Sequence, residues 1–144
     1  MPLEMLAACH SRVEHQCSTL GRLVEHLVRN GADADARMAA VNVMRYFDTS
    51  AKDHHADEEQ DLFPALLASA VGLEVMTLSD LTRALAAEHR ELEPRRQQLR
   101  ASLEPIAAGA SSSLDALSVE AFIQLYERHI ASEESELLPV AKRN

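Results

Sequence analysis

Residues 54–64 read HHADEEQDLFP, and residues 129–139 read HIASEESELLP. Aligned without a gap, His54 meets His129, Glu58 meets Glu133, Glu59 meets Glu134, Leu62 meets Leu137 and Pro64 meets Pro139. A solvated charge run has no reason to reproduce a histidine, a glutamate and a proline in register. In a helix, positions i and i+4 lie one turn apart on the same face, so His-x-x-x-Glu aims an imidazole and a carboxylate at one point. The repeat therefore reads as two copies of one ligand-bearing helix, and the chain as two related halves.

Working outward from the repeat, four helical segments emerge. The first spans residues 3–30, with Leu6, Val13, Leu20, Leu23 and Leu27 at helical spacing and Gly31 as its stop. The second starts near Asp33 or Asp35 and ends before Gly72, with a kink expected at Pro64. The third opens near Thr77 or Ser79 and should bend at Pro94. After the Gly- and Ser-rich connector AGASSSLDAL, the fourth starts around Ser118 as N-cap and runs to about Lys142. Four glycines, no tryptophan and abundant Ala, Leu and Glu favour an all-α chain. Short connections between four helices describe an antiparallel up-down four-helix bundle, with residues 1–144 as one domain.

The formal net charge of −9, with no basic cluster, argues against nucleic acid or an anionic membrane as partner. No N-terminal signal pattern and no apolar run of spanning length is present, which leads to the expectation of a cytoplasmic protein. Cys9 and Cys17 sit eight residues apart on one helix, about 12 Å along its axis, too far to join each other. They read as reduced thiols serving as small buried hydrophobes.

If the halves are copies, helices one and three should also correspond. Apolar residues follow His89 at plus three, plus ten and plus fourteen (Leu92, Leu99, Leu103). The same steps from His10 reach Val13, Leu20 and Val24, whereas from His15 they reach Ser18, Glu25 and Arg29. His10 is thus the partner of His89, and His15 and His26 fall on the outer face. Five of the seven histidines carry a Glu at plus four: His10, His54, His55, His89 and His129. Composition alone would give roughly one. Four inward histidines with Glu58 and Glu133 form a mixed nitrogen and oxygen ligand set that suits Fe, Zn or Cu, and it exceeds what one ion needs. His55 lies about 100° around the helix from His54 and is either ligand or surface. Glu14 and Glu93 read as outer acceptors or solvated acids. Tyr46, Phe47 and Phe63 read as core. A ferritin-like centre would use Glu-x-x-His, and no histidine here has a Glu three residues before it.

With His10, HHADEEQDLFP, EHREL around His89 and HIASEESELLP, the chain resembles the hemerythrin-like (HHE cation-binding) domain family over nearly its whole length. The resemblance implies a four-helix bundle holding two non-haem iron ions, capped by histidines and bridged by the carboxylates of Glu58 and Glu133. It implies a dioxygen, nitric oxide or peroxide ligand, in oxygen binding, sensing or iron handling. One departure stands out. Oxygen-carrying members have a second histidine one turn before the position of His89, and here that residue is Leu85. His55 could compensate. Otherwise a coordination position stays open, which shifts the expectation from plain oxygen carriage toward redox chemistry, sensing or an enzyme that consumes peroxide. The candidate metal ligands are therefore His10, His54, His55, Glu58, His89, His129 and Glu133.

Overall fold

A computed structural model describes residues 3–143. These residues are helical with no strand among them, and they build the antiparallel four-helix bundle. The first rod is α1 (Leu3–Asn30). The second is a chain of pieces: α2 (Ala34–Asp48), α3 (Ser50–Asp57), a π-helical turn (Glu58–Leu62) and α4 (Phe63–Ser69). The third is α5 (Leu73–Ala107). The fourth joins α6 (Ala116–Ser132) through a second π-helical turn (Glu133–Leu137) to α7 (Leu138–Arg143). α1 packs on α2 and α6, and α5 packs on the same two neighbours, which closes the ring of four.

The helix ends follow side-chain chemistry. Asp33 caps α2 by accepting from the Ala36 amide. α1 ends where Gly31 takes φ of +69°, a backbone that a side chain would strain. Two expected starts are corrected. The third rod begins at Leu73, earlier than Thr77 or Ser79, because Gly72 at φ +64° turns the chain straight into it. The fourth is capped by Asp115, whose carboxylate takes the amides of Leu117 and Ser118 and the Ser118 hydroxyl, so Ser118 already lies inside the first turn. Between α2 and α3, Thr49 leaves helical geometry while its hydroxyl bonds back to the Arg45 carbonyl.

The prolines act in two ways. Pro64 and Pro139 each follow a π turn, in which the Phe63 amide reaches Glu58 O and the Leu138 amide reaches Glu133 O, five residues back. Proline has no N–H and crowds the carbonyl four residues before it, and widening the preceding turn by one residue relieves both problems. The expected kink at Pro64 is thus a π turn, repeated at Pro139. α5, by contrast, runs uninterrupted through Pro94.

Two apolar clusters form the core. One gathers Leu20, Val43, Phe47, Leu103, Phe122 and their neighbours. The other gathers Leu6, Leu62, Phe63, Leu78, Leu85 and Leu137. On every rod a polar residue sits between them: His10 between Leu6 and Val13, His54 and Glu58 between Ala51 and Leu62, His89 between Leu85 and Leu92, His129 and Glu133 between Leu125 and Leu137. The bundle thus carries a polar layer through its apolar interior. Such a layer opposes folding unless each group finds a partner.

Candidate metal centre

His10, His54, Glu58, His89, His129 and Glu133 are all buried, and both glutamates are fully so. Their ligand atoms fall into two groups, each within 4.8 Å: His10, His54 and Glu133 in one, His55, Glu58, His89 and His129 in the other. The carboxylates straddle the groups. Glu58 Oε1 lies 3.2 Å from His54 Nε2 and 3.4 Å from His89 Nε2. Glu133 Oε2 lies 2.7 Å from His10 Nε2, and its Oε1 lies 2.7 Å from His129 Nε2. Each carboxylate therefore touches one histidine of either group.

The outer partners fix the imidazoles. His89 Nδ1 meets Glu59 at 2.8 Å, His129 Nδ1 meets Glu88 at 2.7 Å, and His10 Nδ1 meets Glu134 at 3.2 Å. A carboxylate that accepts a hydrogen bond from Nδ1–H leaves Nε2 turned inward, the atom the imidazole would offer to a metal. Sequence reasoning did not find these acceptors and offered Glu14 and Glu93 as outer acceptors or solvated acids. Glu14 is exposed, and Glu93 pairs with Arg96. The available clue was the doublet: in both copies the buried glutamate is followed at once by a second, Glu59 or Glu134. Glu88 likewise precedes His89 directly.

The electrostatics expose a shortage of cations. Burial, aided by Glu133, pushes the Glu58 carboxyl up to about 11, so it holds a proton. Burial also acts against Glu133, but hydrogen bonds from His10 and His129 hold it well below the ordinary carboxylate value. The same bonds raise His10 and His129 against the burial that would lower them. Burial takes His54 down to about 4 and lowers His55 and His89 as well. Two observations match the group to a metal. Both Glu58 oxygens and His54 Nδ1 are buried without a hydrogen-bond partner, although Glu58 Oε1 approaches two imidazoles. His89 Nε2 and His129 Nε2 face each other at 3.1 Å while both Nδ1 atoms are engaged by carboxylates. Two imidazole nitrogens turned toward each other and an unpartnered carboxylate are what a cation would satisfy.

His55 joins the cluster but differs from the others. It is half-buried, its ring stacks on His89 with centroids 3.9 Å apart and planes 12° from parallel, and its Nε2 lies 3.4 Å from the Tyr126 hydroxyl. Leu85, at the position of the absent histidine, is buried in the lower apolar cluster. His15 is exposed, while His26 is half-buried and bonded to the capping Asp33 at 2.8 Å. Cys9 and Cys17 are buried and unpaired, and burial pushes the Cys17 thiol up to about 12. No helix among the described residues is long and apolar enough to cross a membrane.

Comparison with known proteins agrees with this geometry. A protein of Haemophilus influenzae, described only as an uncharacterized protein, is 35% identical over 133 residues, covering 92% of this chain and 74% of the relative. The family model of the hemerythrin HHE cation binding domain matches residues 1–141. The chain belongs to the hemerythrin HHE cation-binding family.

Proposed function

We propose that the protein is a non-haem di-iron protein that binds dioxygen or a related small oxidant. The observation that carries this reading is the straddling of the two carboxylates, Glu58 between His54 and His89 and Glu133 between His10 and His129. A single ion has no use for two groups of ligands joined by two shared carboxylates. In this reading His10, His54 and Glu133 hold one ion, His89, His129 and Glu58 the other, and His55 supplies the donor that Leu85 does not. A pair of irons would supply electrons and an open coordination position to the ligand.

The chain's own residues do the rest. Glu59, Glu88 and Glu134 hold Nδ1 protons and so keep three imidazoles oriented with their Nε2 atoms inward. Leu85, Leu62, Phe63 and Leu137 below the layer, with Phe47, Leu92 and Ile130 above it, keep water away from whatever is bound. Leu85 also favours a second reading, in which the site turns over peroxide rather than carrying oxygen, since an apolar side chain replaces a donor.

The deciding experiment purifies the protein from iron-supplemented cells, measures iron per chain, reduces it without air and adds oxygen, nitric oxide or peroxide in turn. About two irons per chain and a near-ultraviolet or visible band that answers to one of these ligands are expected. Iron that gives no spectral response to any of them overturns the reading. Sustained peroxide consumption that falls in His89→Ala selects the enzyme, and reversible stoichiometric oxygen uptake selects the carrier.

A further inference from the structure

We propose that a small cavity beside His55 and His89 is the port through which an uncharged two-heavy-atom ligand reaches the histidine layer, and that the Lys52–Glu93–Arg96 ion pairs are its latch. The proposal rests on the ligand-binding reading above and adds the route and the class of molecule admitted.

The cavity measures about 20 Å³, and its inner wall is His55, His89 and Tyr126. That is room for about one water molecule or a diatomic of similar girth. Ala51 and Leu92 form apolar sides, which offer no hydrogen bonds to hold water there. Buried Tyr126 contributes a hydroxyl 3.4 Å from His55 Nε2. Two larger grooves, one of about 310 Å³ between α1 and α2 and one of about 490 Å³ along α2 beside Ala107, touch no clustered histidine. Size and position thus single out the small cavity.

The outer face of the cavity is Lys52, Glu93 and Arg96. Arg96 bonds Glu93 at 2.9 and 2.7 Å and also pairs with Asp48, while Lys52 Nζ lies 3.9 Å from Glu93. Asp48 pairs in turn with Arg100, and Arg100 with Glu104, so three cations and three anions leave this ion-pair network with no net charge, and it draws in neither an anion nor a cation. Arg96 is fastened from both sides and is 12% exposed, whereas Glu93 and Lys52 are 41% and 49% exposed. Exposed pairs of that kind open at small cost, so Glu93 is the moving part and Arg96 the fixed one.

The test mixes iron-loaded, air-free reduced protein with nitric oxide in a stopped-flow spectrometer, comparing the parent with Glu93→Ala and Ala51→Val. Glu93→Ala should combine about tenfold faster and Ala51→Val about tenfold slower, within the span over which on-rates vary among variants. Crystals under krypton pressure give a readout independent of iron: a krypton atom against Ala51 and Leu92 in the parent and none in Ala51→Val. Unchanged rates in both variants, with nitric oxide still binding, overturn the port. If Ala51→Val does not fold, Glu93→Ala and the parent's krypton density decide. Azide combining faster than nitric oxide, and slowing with added salt, overturns the selection of uncharged ligands. Absence of any nitric oxide response in the parent overturns the ligand-binding reading instead, and krypton missing from the cavity overturns the port on its own.

Discussion

Glu58→Gln should make the metal-free protein more stable and, at the same time, poorer at holding iron. The Glu58 side chain is fully buried, and burial together with Glu133 pushes its carboxyl from 4.5 up to about 11. At neutral pH the folded chain therefore keeps a proton that the unfolded chain releases. A raised folded value contributes stability that is complete below the unfolded value and is lost as pH rises toward the folded one. Between roughly pH 5 and pH 7 that loss runs at about 1.4 kcal/mol per pH unit, or about 2.7 kcal/mol across the interval. Glutamine mimics the protonated carboxyl in shape and has no proton to lose. Subtracting the parent's stability from the variant's cancels the histidines common to both and leaves the Glu58 slope. Urea unfolding of chelator-treated protein, followed by circular dichroism at about pH 5, 6 and 7, measures it. A difference that stays flat with pH, or a variant less stable than its parent at pH 7, would refute the claim that Glu58 is buried as a neutral acid. Iron content after reloading should fall in the same variant, because Gln would offer a metal no anionic oxygen. The layer would then be a case of stability given up for a site.

The remaining predictions concern neighbouring groups. Glu133→Gln should behave oppositely in metal-free protein, losing about 2–4 kcal/mol in urea unfolding at pH 7, because Glu133 accepts a 2.7 Å bond from His10 Nε2 and its other oxygen lies 2.7 Å from His129 Nε2. Its lowered folded value means this contribution is present above the ordinary 4.5 and is lost as pH falls through the folded value, so the difference from the parent should shrink in acid. Glu88→Ala removes the acceptor on His129 Nδ1 and should weaken metal binding about 10- to 100-fold in competition titrations, with stability nearly unchanged. Phe47→Ala, in the ring cluster with Tyr46, Phe122 and Tyr126, should cost about 3–5 kcal/mol by calorimetry, without changing which residues meet the metal.

Much of the fold was legible because it rests on local, periodic information. The 3.6-residue spacing of Leu6, Val13, Leu20 and Leu27 marks α1, and all four are buried. The register of HHADEEQDLFP with HIASEESELLP reveals the twofold character of the chain, and the two π turns carry that repeat into the backbone. Helix ends were less legible. At residues 72 and 115 a glycine's positive φ and an aspartate's capping bonds overrode the Ser and Thr candidates further along. Pro64 and Pro94 also differ in outcome: one follows a π turn and the other sits inside an unbroken helix.

For the site, the chain order alone determines the one-turn pairs, His54 with Glu58 and His129 with Glu133, since i and i+4 share a face wherever the helix lies. It determines as well that four polar faces point inward. Which pairs share a ligand was decided only by the bundle. Glu58 reaches His89 on α5 and Glu133 reaches His10 on α1, contacts that span 31 and 123 residues of chain. The crossing of the rods also gives the Nδ1 atoms of His89 and His129 to Glu59 and Glu88 rather than to the glutamates one turn away on their own helices. It lays His55 flat against His89 as well. Helical periodicity fixes the direction of a side chain about its own axis, but the distance between two side chains on different helices depends on how those axes cross, and packing of the whole core sets that.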